Sequence, residues 1–317
     1  MGFSSLDDFI SEITANGKFY RSDWNKNVLP TTAQTAGLWY DLACGAGNPG
    51  SDTDYGSGGG GTNLAFRSLL DTSTTSPGIQ HGGNVTPDTK HIINASAFSA
   101  AATTMPAVLM LIDRLGFYPI TTTTTTGDQA LNNTVVFPTG RHTNGAGLRA
   151  YVVCSSGAAT TAMGAATPSI RITYTNQAGT AGKLTPSVLP AGTTAAAKGN
   201  IIYSGTGAGK YGPFLPLAAG DSGIQSVQQF NLSASYLSGN LNLVICRPLL
   251  TLPLTTIGVA SERDLLNQVP SLPQIYDGAN LAWLMYAGAA TPVNSSFAGH
   301  LDFGWGSSSW HSSATIA

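Results

Sequence analysis

The chain has 317 residues, of which 14 are Lys or Arg and 16 are Asp or Glu, so 9% are charged against the roughly 25% of an ordinary soluble protein. Glutamate occurs only at Glu12 and Glu262 while Gly, Ala, Ser and Thr abound, a composition that excludes a long-helix or coiled-coil protein. A formal net charge of −2 argues against the basic stripe of a nucleic-acid binder, and 42% hydrophobic residues argue against a disordered chain.

The first predicted element is a short amphipathic helix. Ser5 can cap it, Asp8 follows three residues later, and Leu6, Phe9, Ile10 and Ile13 form an apolar stripe that Asn16-Gly17 closes. A helix this short is not stable alone, so the stripe must dock. The aromatic, polar run Phe19-Tyr-Arg-Ser-Asp-Trp-Asn-Lys-Asn27 comes next, then loop-like Pro30-Thr31-Thr32. Two readings stay open for it: a terminal arm reaching a neighbouring subunit, or a segment packing across its own core. Residues 1–35 are taken as helix and arm, and 36–317 as one β domain.

Beyond residue 36 the pattern is of short strands separated by turn residues. They are expected at 37–42, 64–69, 107–113, 134–137, 149–155, 169–174, 200–203, 224–232, 240–246, 281–286 and 297–305. Ile170, Ile172 and Tyr174 alternate with Arg171 and Thr173, as a half-buried strand requires. A later helical turn is expected over Ser261–Asn267, capped by Ser261. Many short strands of even spacing imply an all-β fold, a β-sandwich or jelly roll. Long irregular stretches at 45–62, 121–126 and 155–167 are of a length usually reserved for function or intermolecular contact.

Cys44, Cys154 and Cys246 are too few and too widely spaced for a disulfide framework or a metal knuckle; two of them end apolar runs and read as core residues of a protein folded in a reducing compartment. The N-terminus lacks the basic and apolar regions of a signal peptide, and Leu6 stands where myristoylation expects Ser or Thr. Ile92–Ile112 is uncharged over a bilayer-spanning length, yet its Asn, Ser, Thr and Pro content points to a buried strand after a small-residue segment, so no membrane partner is expected.

Gly220-Asp-Ser-Gly223 matches the tetrad around a serine-protease nucleophile, which makes Ser222 the one catalytic candidate; no histidine lies in the matching context. Gly205-Thr-Gly-Ala-Gly-Lys210 falls short of a phosphate loop, with Ser204 in place of the leading Gly and Tyr211 in place of Ser or Thr. Asp52-Thr-Asp54-Tyr-Gly56 lacks the closing Glu of a calcium loop. His81-Gly-Gly83 has no nucleophile elbow to serve, and His81 and His91 bracket a loop with no further ligands between them. The reading from these residues is of no enzyme, no cofactor and no metal.

Several strings taken together resemble an uncharacterised family of tailed-bacteriophage virion proteins. They are Arg21-Ser-Asp-Trp-Asn-Lys-Asn27, Gly37-Leu-Trp-Tyr-Asp-Leu42, His81-Gly-Gly-Asn-Val-Thr-Pro87, Tyr211 to Gly223, Glu262 to Asn267 and Ile275 to Trp283. The resemblance runs through most of the chain in order and implies a virion structural role, with assembly in the cytoplasm of a bacterial host. A shell subunit with a long spine helix does not fit this composition, so the expectation is a capsid decoration or cement protein. Such a protein would bind the shell of the major capsid protein and form a homo-oligomer, a trimer in the first instance, through many weak contacts. Phe9, Ile13, Phe19, Tyr20, Arg21 and Trp24 are the interface candidates, because aromatic anchors and Arg dominate interfaces. A tail or head fibre, or a receptor-binding module, is the second reading. A hydrolase using Ser222 is the third.

Overall fold

The computed structural model describes residues 5–27, 36–54, 64–99, 105–120, 124–132, 137, 140–155, 168–188, 198–202, 212–236, 239–264, 272–289 and 296–307. After helix α1 (Leu6–Thr14) the described chain is built from strands: β1 (Phe19–Asn27), β2 (Trp39–Asp41), β3 (Gly47–Asn48), β4 (Arg67–Ser68), β5 (Thr89–Ser99) and β6 (Ala107–Ile120). Then come β7 (Gly127–Ala130), β8 (Arg149–Cys154), β9 (Ile170–Asn176), β10 (Lys183–Leu184), β11 (Ile224–Leu232) and β12 (Leu241–Leu254). The last four are β13 (Ser261–Asp264), β14 (Gln274–Ile275), β15 (Leu281–Ala287) and β16 (Ser296–Gly306). The fold is all-β and sandwich-like.

The strands form three antiparallel sheets. The first runs β13-β5-β16-β1-β3 with β14 also on β5, the second β10-β9-β11-β7, and the third β2-β15-β6-β12-β8 with β4 also on β6. The third sheet is the shared layer. Along β12, Val244 and Cys246 join the core formed with the first sheet, around Trp24, Leu109, Trp283, Phe297 and Leu301. The alternate residues Leu243 and Ile245 join the core formed with the second sheet, around Tyr118, Ile172, Tyr174 and Phe230. A sheet covered on both faces needs runs of apolar residues rather than alternation, as β6, β12 and β15 have.

Two prolines in β12 are tolerated for a definable reason. The strand β8 pairs only with Leu241–Cys246, so among the described residues β12 has no ladder partner on that side from Arg247 onward. Pro248 and Pro253 lie in this stretch, and a register shift between Pro248 and Leu250 absorbs the first.

The helix forms as expected, with Ser5 Oγ accepting from Asp8 N at 3.1 Å and Gly17 in the left-handed region at φ +64°. Phe9 is buried and Ile13 half-buried where the helix docks on Ile93 of β5, while Ile10 stays exposed. Phe19–Asn27 is an internal strand of the first sheet, paired with β16 from Phe19↔Gly304 to Asn27↔Ser296. Of the two readings left open for it, the described structure places the segment on the chain's own core, on the same sheet as residues beyond the boundary drawn at 35.

The helical turn expected at Ser261–Asn267 is a correction. Ser261–Asp264 is strand β13, paired with Ala97–Asn94, and Glu262 accepts from Asn94 Nδ2 at 2.7 Å; residues 265–267 lie outside the described residues. Strand pairing along β5 overrides the local helical preference. The expected strand at 200–203 is reduced to single bridges at Asn200 and Ile201. Of the expected strand at 134–137, only Phe137 lies among the described residues. Ile92–Ile112 contributes to two strands, β5 and β6, and among the described residues no helix is long and apolar enough to cross a membrane.

Candidate functional site

Nine of the charged side chains are buried among the described residues, and several of them meet inside the fold. At the middle of β6, Asp113 accepts from Arg141 Nε at 3.0 Å and from Arg141 Nη2 at 3.1 Å, and also from the backbone N–H of Asn280. His142 Nε2 lies 3.5 Å from the same carboxylate. Burial pushes the Asp113 carboxyl up, but His142 and Arg141 more than reverse this, and its pKa is lowered. The adjacent Arg114, wholly buried, donates to Asp52 at 2.8 Å, to Asn280 Oδ1 at 2.9 Å and to the carbonyl of Pro77. Asp52 also accepts from Ser76 Oγ, and Asp54 from Thr75 and Ser76, so the carboxylates of the calcium-like string are engaged by protein groups.

A second chain of polar groups runs through Lys90. This lysine sits on β5 directly opposite Trp305 of β16, so its amine lies 5.6 Å from the indole centroid, a cation–π arrangement. The amine also donates to the Gly83 carbonyl and meets His81 Nδ1 at 2.9 Å. An imidazole that accepts there must carry its proton on Nε2, which faces Asp71 Oδ2 at 3.3 Å. Burial, and then the charge of Lys90, holds His81 below its ordinary pKa; burial lowers Lys90 itself to about 8.

Both networks reach a polar cleft of about 330 Å³. Three segments converge to form it: Thr86–Lys90 leading into β5, Gly140 and Arg141, and Gln274–Asp277 at and after β14. The pairing Gln274↔His91 and Ile275↔Lys90 fixes the first segment against the third. Asp277 then locks the loop before β5, accepting from the Val85 and Thr86 N–H groups and from the Thr86 hydroxyl. Next to the cleft, His142 holds φ +53°, the only positive φ of a non-glycine among the described residues, with its ring edge-on to Tyr276 at 4.4 Å. Such backbone strain persists only where surrounding contacts enforce it, and it clusters at functional sites.

The interface candidates fall elsewhere. Phe9 and Trp24 are buried, Trp24 against Trp283 at 5.0 Å. Tyr20 is half-buried with its ring over Gly82, Ile13 is half-buried, and Phe19 is exposed. Arg21 forms a two-pronged pair with Asp302 across the β1–β16 ladder, both bonds 2.7 Å. Ser222 is exposed at a turn, and its contacts are backbone ones, to Gln177 Oε1 and Gly147 N. The neighbouring Asp221 accepts from Tyr174 and Asn176. No histidine is among the partners of Ser222 in the described residues. The phosphate-loop-like string 205–210 lies outside the described residues.

The cleft itself was not among the sequence candidates. His81 and the 275–283 string drew notice, yet nothing local marks Lys90, Arg141, Gln274 or Tyr276 as neighbours, because sheet pairing over nearly 190 residues brings them together. Comparison with protein-family models, with curated proteins and with solved structures finds no match.

Proposed function

We propose that this chain is a structural component of a bacteriophage virion, a decoration or cement protein that seats on the shell of the major capsid protein and self-associates, a trimer being the first arrangement to test. The observation that carries this reading is where the exposed apolar side chains lie. Of the seven large apolar side chains exposed among the described residues, Ile10 and Phe19 lie at one end of the first sheet and Phe98, Ile257 and Val259 at the other, with Leu184 on the second sheet and Leu70 beside Gly278. The second group is contiguous, since Gly258 N donates to the Ser99 carbonyl and Ser261 pairs with Ala97. A subunit with an apolar contact at each end can bridge two neighbours, and once one contact forms the next becomes nearly intramolecular. The chain as a whole carries few charges to oppose such packing, 30 in 317 residues with several of them turned inward, although Arg21, Asp23 and Glu262 are exposed on the first sheet between the two ends.

A fibre or receptor-binding module is the second reading, favoured by the polar cleft, which a purely cementing protein does not need. The two differ in copy number. Quantitative mass spectrometry of purified particles is expected to give a stoichiometry comparable to the major shell subunit, and Val259→Asp is expected to lower occupancy without unfolding the protein. A handful of copies per particle would move the protein to a fibre or tail. Absence from particles would overturn both readings.

A further inference from the structure

The polar cleft beside Lys90 combines ionic groups already paired with one another or with the backbone and neutral polar groups that are not. Four ionic side chains line it, the cations Lys90 and Arg141 and the anions Asp88 and Asp277. Each is already paired: Lys90 with Gly83 and His81, Arg141 with Asp113 and the carbonyls of Leu69 and Arg114, Asp88 with Lys18 at 2.8 Å, and Asp277 with Val85 and Thr86. Two positive and two negative charges cancel. An anion would have to break the donations of Lys90 or share Arg141 with the Asp113 carboxylate it already holds, and a metal ion would have to strip Asp277 or Asp88; these exchanges cost desolvated hydrogen bonds or set like charges together.

The neutral polar groups are in the opposite condition. Gln274, Tyr276 and Thr89 line the same cleft, and the side-chain amide of Gln274 and the hydroxyls of Tyr276 and Thr89 have no hydrogen-bond partner among the described residues. Together they offer donors and acceptors of both kinds, on a frame held rigid by the ionic pairs behind them. The Tyr276 ring adds an apolar surface next to its polar tip, steadied by the edge contact with His142. At about 330 Å³ the cleft lies at the low end of small-molecule sites, large enough for a sugar unit.

We propose that this cleft is a binding site for a neutral saccharide, with Gln274 and Tyr276 as the recognising side chains and Thr89 as a further hydroxyl contact. A pyranose presents hydroxyls that both donate and accept, and a C–H face that packs on an aromatic ring, which is the complement of this lining. Lys90, Arg141, Asp88 and Asp277 position these groups and do not bind the ligand through charge. The inference stands whether or not the protein is a virion component, because it rests on the lining of the cleft alone.

Saturation-transfer NMR on the full chain tests it, using N-acetylglucosamine, galactose, glucose and methyl mannoside as probes, with inorganic phosphate and acetate as charged controls. At least one sugar is expected to bind with a dissociation constant on the order of 1 mM, as suits a small ligand in an open site. Gln274→Ala and Tyr276→Phe, each removing one hydrogen-bonding group, are expected to weaken it about 3- to 10-fold, with melting temperature unchanged. Ser222→Ala, far from the cleft in its contacts, is expected to leave binding alone. No transfer to any sugar at 50-fold that concentration overturns the proposal. Binding of phosphate or acetate in place of sugars overturns it too, as does sugar binding that neither cleft variant alters.

Discussion

Asp113 carries several obligations at once: two bonds from Arg141, one from the Asn280 backbone and the nearby His142. Removing one partner of a buried ion pair leaves the other charge desolvated and unmatched, which typically costs about 3–5 kcal/mol. Asp113→Ala is therefore expected to lower the unfolding free energy by about that amount in urea titrations. Asp128, whose carboxylate meets Arg171 at 3.5 Å near solvent, is the contrast; Asp128→Ala is expected to cost no more than about 1 kcal/mol. Equal effects at the two positions would mean that burial of the Asp113 pair does not set its weight. Neither network was legible beforehand, because a buried charge leaves no mark in a single sequence until its partner is known. Lys26 makes the same point: it looks like a surface lysine, yet it is buried and donates to the carbonyls of Gly45, Pro49 and Gly50.

At the scale of elements, the apolar strands declared themselves and the mixed ones did not. Ile170, Ile172 and Tyr174 are buried with Arg171 and Thr173 half-exposed, as their alternation implied. Strand β1 also alternates, but its inward residues are Ser22, Trp24 and Lys26, so only Trp24 signals the buried face. Strand β5 was hidden by small and polar residues, Asn94 to Ser99, that pack closely between β16 and β13. Close packing there is strict: a Cβ on Gly299 of β16 would collide with the Ser96 carbonyl. These placements give truncation a clear outcome. Deleting residues 1–17 removes α1 and the docking of Phe9 on Ile93, an edge loss that is expected to leave a cooperative transition at lower temperature. Deleting residues 1–27 also removes an internal strand and Trp24 from the main core, and is expected to abolish cooperative unfolding and cause aggregation. Size-exclusion chromatography and calorimetry separate these outcomes, and a folded, monodisperse 28–317 fragment would overturn the structural place given to β1.

Across the whole molecule, the buried titratable groups set how stability depends on pH. Burial holds Lys26 and Lys90 down to about 8 from an ordinary 10.5, so between these values the unfolded chain binds more protons than the folded one. Stability therefore rises as pH increases from about 8, by at most about 1.4 kcal/mol per pH unit for each lysine. His81 acts in the same direction lower down: burial and Lys90 depress its pKa, so the folded state loses stability as pH falls through 6.5, where the unfolded imidazole takes up a proton. Two kinds of group oppose the rise at the alkaline end. Burial pushes the thiols of Cys44 and Cys246 well above 9, and burial raises the phenols of Tyr174 and Tyr236, the former helped by its bond to Asp221. Such groups ionise first in the unfolded chain, near 9 for the thiols and near 10 for the phenols, and draw the equilibrium away from the fold. The melting temperature is thus expected to climb from pH 6 to a maximum near pH 9 and to fall beyond pH 10. Lys90→Met should flatten the climb between pH 8 and 9 whatever it does to the absolute value, since the remaining slope belongs to Lys26. A profile that instead peaks near neutrality and declines steadily to pH 9 would mean that both amines keep their charge inside the protein at ordinary affinity for the proton.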